Sequence, residues 1–241
     1  MAKIPDKPQD VFVPLTQDYL KVFGRELVSL ILYGSAAGGS YIKGKSDINL
    51  LVVLIPDGIE KLSDAFAIIK YWRKRRFALP LVMTQTFINA SLDCYPIEFL
   101  NMKNNHILIY GENILEQINV RPENLRLQIE RELKGKLLLL REGYLEAEGK
   151  PRQLKNLIDR SFTAFISIFN ALLYYKHHAA PRDRRDTIKE LVKTVKFDAK
   201  AFLQCADIKE GKNNLSGKEV AGLFKKYVQE VANMCNIVDS L

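Results

Sequence analysis

The residues best suited to chemistry lie in the segment LYGSAAGGSYIKGKSDINLLVV, residues 32–53. Asp47 and Asn49 stand there at the beginning of an aliphatic run that is predicted to form a strand. Side chains two apart on a strand point to the same side, so Asp47 and Asn49 face together while Ile48 faces away. Carboxylates in this arrangement can hold a divalent cation against a polyphosphate. The pair therefore predicts a metal and phosphate site in which one of the two positions is an amide.

Two further features of the sequence extend this candidate site. Gly34-Ser35 ends the preceding predicted strand, and a small turn lets backbone N–H groups approach a phosphate closely. A helix N-terminus after the turn would add its partial positive charge. Glu98, in PIEFL on a later predicted strand, is the candidate for a third metal ligand besides Asp47 and Asn49. An adjacent strand could bring Glu98 beside Asp47.

Positioning these residues requires the alternation of strands and helices that the first half of the chain predicts. Short apolar runs predict strands over VSLILYGS, DINLLVVLIP, LPLVMTQTFI and YPIEFLNMK. Helical spacing is found in DYLKVFGREL and in IEKLSDAFAIIKYWRKRR. Because the strand runs are continuously apolar, we expect a sheet that is covered on both faces or mostly covered by helices.

After residue 120 the pattern is helical almost throughout. Apolar spacing predicts four helices, over PENLRLQIERELKGKLLLLREGYLEAEG, RQLKNLIDRSFTAFISIFNALLYYKHH, RRDTIKELVKTV and SGKEVAGLFKKYVQEVANMCNIV. Ser216 is the expected N-cap of the last one. Four helices with short links form a bundle. We therefore predict an α+β chain, with a mixed sheet and helices over residues 1–120 and a helical bundle over residues 121–241.

The charge of the chain lies mainly in its second half. Residues 1–120 contain 13 basic and 12 acidic residues, whereas residues 121–241 contain 23 and 16, out of a net charge of +8. This excess favours an anionic partner for the second half: a nucleotide, a nucleic acid or an acidic protein. It disfavours a polycationic small substrate, which that half would repel.

Cysteines and apolar runs indicate the compartment. Cys94, Cys205 and Cys235 are isolated and odd in number, which predicts neither a zinc site nor a disulfide framework. No apolar run approaches the roughly 20 residues that span a bilayer. The N-terminal sequence MAKIPDKPQDVFVP lacks the apolar region of a secretory signal. We therefore expect a cytoplasmic protein without a membrane partner.

The segment YGSAAGGSYIKGKSDINLLVV resembles the signature of the polymerase-beta-like nucleotidyltransferase superfamily. In that superfamily a Gly-Ser precedes an acid–x–acid pair at the start of a strand, and a third acid lies on a later strand. The whole chain is similar to the small bacterial nucleotidyltransferases of the aminoglycoside adenylyltransferase type. SLDCYPIEFLNMKNNHILIYGENIL also resembles the segment that carries their third acid. The resemblance implies the nucleotidyltransferase fold, followed by the helical bundle.

The resemblance also implies a reaction and a set of site residues. The reaction transfers a nucleoside monophosphate from a nucleoside triphosphate to a hydroxyl acceptor and releases pyrophosphate. Asp47 and Glu98 would be catalytic, and Gly34, Ser35 and Asp47 would bind the nucleotide. Mg²⁺ would be held by Asp47, Asn49 and Glu98.

Asn49 departs from this pattern, because the family has an acid at its position. An amide oxygen can ligate Mg²⁺ but carries no charge. A unit charge at close range is worth on the order of a few kcal/mol, so we expect a weakened metal position and slower transfer. Nucleotide binding could survive on the Gly-Ser turn and Asp47. Two alternatives stay open: a catalytically weak or inactive nucleotide-binding regulatory protein, and a nucleic-acid-binding module that uses the basic second half.

Overall fold

The computed structural model describes residues 4–39, 41–44, 46–181, 183–212 and 215–241. The chain divides into two compact units, Met1–Asn119 (unit 1) and Val120–Leu241 (unit 2). Over the described residues, unit 1 combines a mixed sheet with helices, and unit 2 is helical. The α+β class predicted from the sequence is thereby confirmed.

The sheet of unit 1 contains four strands within the described ranges. They are β1 (Leu27–Tyr33), β2 (Asn49–Leu54), β3 (Leu81–Thr84) and β4 (His106–Gly111). Their order across the sheet is β3-β2-β1-β4. Strand β1 pairs antiparallel with β2 and with β4, while β2 pairs parallel with β3. The two central strands are therefore the two whose ends carry the sequence motif.

Helices cover this sheet. Those of unit 1 are α1 (Phe12–Phe23), α2 (Pro56–Ile59), α3 (Phe66–Arg73), α4 (Gln85–Ala90) and α5 (Pro96–Asn104). Alternate residues of β1 and β2 share one core with buried residues of α1 and with Trp72 of α3. Trp72 Nε1 donates a hydrogen bond to the Asp18 carboxylate of α1 at 3.1 Å. Strand β2 is almost fully buried from Leu50 to Leu54, so it is covered on both faces, as its continuous apolar run predicts.

The strand prediction for YPIEFLNMK is wrong, because this segment forms helix α5. Pro96 lies in its first turn, where the missing N–H breaks no hydrogen bond. Ile97, Phe99, Leu100 and Met102 are buried on several sides of the helix, and the burial of the neighbours Phe99 and Leu100 does not fit the alternation of a half-exposed strand. The strand in this region is instead the following segment, HILIYG, which is β4.

The predicted strand LPLVMTQTFI is correct only in its first part. Strand β3 ends at Thr84, whose hydroxyl accepts a hydrogen bond from Phe87 N at 3.1 Å. This N-cap begins α4, so the rest of the segment is helical.

Unit 2 contains one helix more than the four that the sequence predicts, counted over its described residues. Its helices are α6 (Pro122–Ala147), α7 (Pro151–Tyr175), α8 (Arg184–Thr194), α9 (Ala199–Lys209) and α10 (Gly217–Asp239). Helix α9 was not predicted; the Asp198 side chain caps it by accepting from Lys200 N. The prediction of Ser216 as N-cap is confirmed, and Glu219 completes a capping box there.

Helix α7 supplies much of the core of unit 2. Its aromatic residues Phe162, Phe165 and Phe169 are fully buried. Phe165 and Phe169 contact the ring of Phe202 on α9, and Phe165 also contacts Tyr227 on α10. By length and composition alone this helix could cross a membrane. Its aromatic face, however, packs against the other helices of unit 2, as in the core helix of a helical domain.

Helices α8 and α9 are joined by a charged cluster at one end. Arg185 of α8 donates hydrogen bonds to Asp207 at 2.6 Å and to Glu210 at 2.8 Å. The Arg185 guanidinium, helped by Lys212, lowers the pKa of Glu210 from its usual 4.5 to about 2. The ionised form of Glu210 is therefore favoured by folding.

This depressed pKa predicts an acid-dependent loss of stability. The contribution of Glu210 is fully present above pH 4.5 and is lost as the pH falls towards about 2, where the folded carboxylate becomes protonated. We expect Glu210→Gln to lower the free energy of unfolding by roughly 1 kcal/mol at pH 7. The difference in Tm between wild type and variant should shrink between pH 4.5 and 2, measured by circular dichroism. Glu146→Gln, at an exposed position of α6, is the control; an equal effect there would contradict the prediction.

Candidate functional site

The first component of the candidate site is the turn that ends β1. After Tyr33 the chain forms a short 3-10 helix, Gly34–Ala36. Gly34 has φ of 78°, in the left-handed region that favours glycine. Its N–H donates to Asn105 O at 2.9 Å and its carbonyl accepts from Gly38 N at 3.0 Å. The turn is thus held by backbone hydrogen bonds, and Ser35 lies exposed on it.

Asn49 packs directly against this turn. Tyr33 and Asn49 are partners in the β1–β2 register, so the two strand ends lie side by side. A Cβ atom at Gly34 would lie 3.3 Å from Asn49 Nδ2, closer than side chains ordinarily pack. Glycine is therefore favoured at residue 34 by its backbone angle, and a side chain there would also crowd the amide of Asn49. The structure thus brings Gly34 and Asn49 together, while their roles in binding nucleotide and metal stay predictions.

Asp47 lies two residues before Asn49 and is paired with an arginine. Its Oδ1 is 3.3 Å from Nη2 of Arg76, and the two side chains are 64% and 39% exposed. Ile48, between Asp47 and Asn49, is fully buried in the core shared with α1. The predicted alternation, with Ile48 facing away from its two polar neighbours, is therefore confirmed.

The position of Arg76 is set by the backbone. Ile48 N donates to Arg76 O at 2.9 Å, and Ala78 N donates to Ile48 O at 3.0 Å. These bonds, with a parallel bridge between Ile48 and Phe77, extend the pairing of β2 and β3 by a few residues. Arg76 itself has φ of 71°. Its guanidinium reaches Asp47 from a segment that the edge of the sheet holds in place.

Tyr33 lies at the centre of this end of the sheet. It pairs with Asn49 of β2 on one side and with His106 of β4 on the other. Burial raises the pKa of the Tyr33 hydroxyl above its ordinary value, because it disfavours the charged phenolate. The His106 ring is held by Lys103 O at 2.8 Å and by Asn113 Oδ1 at 2.9 Å. Both of its nitrogens are therefore engaged within this region.

Glu98 does not lie where the sequence predicts. It is exposed in the first turn of α5 instead of lying on a strand, so no strand pairing places it beside Asp47. The strands that flank the central pair, β3 and β4, read LVMT and HILIYG and contain no acid. Its role as third acid stays a prediction that rests on the resemblance.

A divalent cation fits these donors poorly. Mg²⁺ sites in proteins are built from oxygen ligands and usually include one or two carboxylates besides the phosphates. Asp47 offers one carboxylate and Asn49 one neutral oxygen, while Arg76 already places a positive charge at Asp47. Within the described residues no group of three His, Cys, Asp or Glu side chains could hold a metal ion. Magnesium binding therefore stays a prediction from the resemblance.

Arg76 is the residue that the sequence motif did not reveal. It ends the basic run KYWRKRR, which by itself indicates a solvated helix end. Helix α3 stops at Arg73, and Arg75 folds back over the Tyr71 ring, 3.5 Å from its centroid. Of the basic residues in this run, Arg76 is the one that forms an ion pair with Asp47. The sequence does show that Arg76 precedes the predicted strand LPLVMTQTFI. This position indicates a role for Arg76 only once that strand, β3, is known to pair with β2.

Comparison with known proteins supports the fold. No protein-family model matches the chain, and no curated protein matches it by sequence. Among solved structures it is similar to spectinomycin adenyltransferase AAD(9) from Enterococcus faecialis, solved with ATP and spectinomycin. The TM-score is 0.51 at 13% identity, over 92% of this chain and 98% of that one. The chain therefore has a nucleotidyltransferase-like fold with a C-terminal helical region.

The contact between Gly34 and Asn49 is tested by a pair of glycine substitutions. Gly34→Ala and Gly39→Ala both place a side chain at positive φ, which costs on the order of 1 kcal/mol, but only Gly34 faces a neighbour, Asn49. We expect a larger loss of Tm for Gly34→Ala than for Gly39→Ala.

Asn49→Ala provides the control for this contact. In the Gly34→Ala background it should recover part of the lost stability, because it removes the crowded amide. Purely additive effects in the double variant would show that the two residues do not interact.

Proposed function

We propose that this chain is a nucleotidyltransferase whose unit 1 binds a nucleoside triphosphate and transfers its nucleoside monophosphate to a hydroxyl acceptor. The observation that carries the proposal is the packing of the Gly34-Ser35 turn against Asn49, with the Asp47 carboxylate exposed beside it. The same constellation is the one by which the sequence resembles the superfamily. The likeness in fold to an adenyltransferase solved with ATP is further support.

The residues of the site would divide the reaction between them. The turn and the Ser35 hydroxyl would bind the terminal phosphates, which leave as pyrophosphate. The acceptor oxygen would form a bond to the α-phosphorus while the bond to the leaving group breaks in line. Asp47 and Glu98 remain the candidate catalytic carboxylates, and a carboxylate within reach of the acceptor would take its hydroxyl proton.

The acceptor is proposed only by chemical class. The neighbour in fold was solved with spectinomycin, so a small molecule that carries hydroxyl groups is the favoured acceptor. The 23 basic against 16 acidic residues of positions 121–241 disfavour a polycationic acceptor. Among nucleotides, ATP is the first to test.

A nucleotide-binding protein with little or no turnover is the second candidate. Asn49 and the ion pair of Asp47 with Arg76 favour it, because both lower the negative charge available for metal-dependent catalysis. The nucleic-acid-binding alternative rests on the basic excess of the second half alone.

Binding is tested by thermal shift. A ligand that binds only the folded state stabilises it, so millimolar ATP or another nucleoside triphosphate should raise Tm by several degrees. Adenosine at the same concentration is the control and should have little effect, because the site recognises phosphates. Equal Tm values with and without each of the common triphosphates would rule the proposal out.

Turnover is tested by restoring the family acid. Asn49→Asp adds a carboxylate beside Asp47, and we expect pyrophosphate release to rise, by tenfold or more, in a Mg²⁺-dependent manner. The control is Asn89→Asp, the same change at an exposed residue of α4. Helix α4 follows the end of β3 that is far from Asp47, so this variant should leave the rate of pyrophosphate release unchanged. If wild type already turns over well and Asn49→Asp is no faster, the amide does not limit catalysis.

A further inference from the structure

We infer that Arg76 is the phosphate-binding cation of this site and that unit 1 therefore binds the polyphosphate of a nucleotide without a divalent cation. This inference rests on the proposed nucleotide site and specifies how its ligand is recognised. It assigns to a guanidinium the charge that a metal ion would otherwise supply. The evidence is the position of Arg76, the charge of the site and the orientation of the neighbouring arginine.

The position of Arg76 is preorganised for this role. Its carbonyl accepts from the N–H of the fully buried Ile48, and the next residue, Phe77, forms a parallel bridge with Ile48. The backbone of Arg76 is thereby held beside the start of β2, and from there its guanidinium reaches Asp47 at 3.3 Å. Because its side chain is 39% exposed, a ligand can still reach it. A cation that is already in place loses little conformational entropy on binding.

The charge of the site suits a polyphosphate that arrives without a metal. Two carboxylates at residues 47 and 49 would repel phosphates unless a divalent cation bound first. Here residue 49 is a neutral amide, and the single carboxylate of Asp47 is balanced by Arg76 at 3.3 Å. A guanidinium matches two phosphate oxygens with parallel N–H groups, which an ammonium does not. The phosphate would compete with Asp47 for these donors.

Arg75 offers a matched comparison next to Arg76. Its guanidinium lies over the Tyr71 ring at 3.5 Å and donates to Tyr71 O at 3.0 Å, so it points along α3. The two arginines carry the same charge and are neighbours in sequence, but only Arg76 lies at Asp47. If positive charge in general attracts the phosphates, loss of either arginine should weaken phosphate binding. If the phosphates bind a specific site at Asp47, only the loss of Arg76 should weaken it.

Titration calorimetry with ATP, in EDTA and in Mg²⁺, tests the inference on the full chain. Wild type should bind in EDTA with an affinity within about threefold of that in Mg²⁺, a difference under 1 kcal/mol. Arg76→Gln should weaken binding in EDTA by at least about tenfold, since it removes charge-assisted hydrogen bonds. Arg76→Lys should retain part of the affinity. Arg75→Gln should bind like wild type.

Asp47→Asn decides between the two mechanisms by the sign of its effect. If Asp47 holds a metal ion, Asp47→Asn should weaken ATP binding in Mg²⁺. If Asp47 instead competes with the phosphate for Arg76, Asp47→Asn should bind ATP more tightly than wild type in EDTA. Binding that requires Mg²⁺ and is lost in Asp47→Asn would overturn the inference while leaving the proposed function intact. Absence of triphosphate binding in both media would overturn both. The Tm of each variant without ligand identifies any that fails to fold.

Discussion

The candidate site depends on the backbone pairing between Ile48 and residues 76–78. Ile48 is buried in the core of unit 1, and its N–H and C=O bond to Arg76 and Ala78 at the edge of the sheet. An unpaired backbone group at such a buried position would be costly, so this pairing is strongly favoured. It fixes at once the direction of Asp47 and Asn49, which must point away from the core, and the place of Arg76.

This constraint explains why the polar residues at the mouth of so apolar a strand form a site. Strand β2 is buried on both faces, and only its beginning, beside the Gly34 turn, reaches solvent. An amide at residue 49 can sit against the glycine turn as a neutral hydrogen-bonding group. A carboxylate there would lie close to the turn and to Asp47 and would need a counter-charge, which a single arginine already shared with Asp47 could not fully supply.

The parts of this site that follow from local rules could be predicted from the sequence. The Gly34 turn, the start of β2 and the alternation around Ile48 depend on spacing of two and on glycine, and both are visible in residues 32–53. Helix α5 and strand β4 could not be separated, because PIEFLNMK and HILIYG are two adjacent apolar runs of similar length. Helix α9 was missed because the link from α8 to its Asp198 cap, residues 195–197, is short and contains no Gly or Pro to mark a boundary.

The role of Arg76 could not be predicted from the sequence motif. Its role depends on a parallel pairing between segments about 30 residues apart, and such pairings leave no periodicity in the sequence. In the basic run it is indistinguishable from Arg75, whose side chain turns back onto Tyr71. The difference arises because the chain leaves α3 at Arg73 and passes through a left-handed residue, Arg76, before it joins the sheet. Asn49 and Arg76 thus belong to one electrostatic arrangement: the amide lowers the negative charge of the site to the level that a single guanidinium can balance.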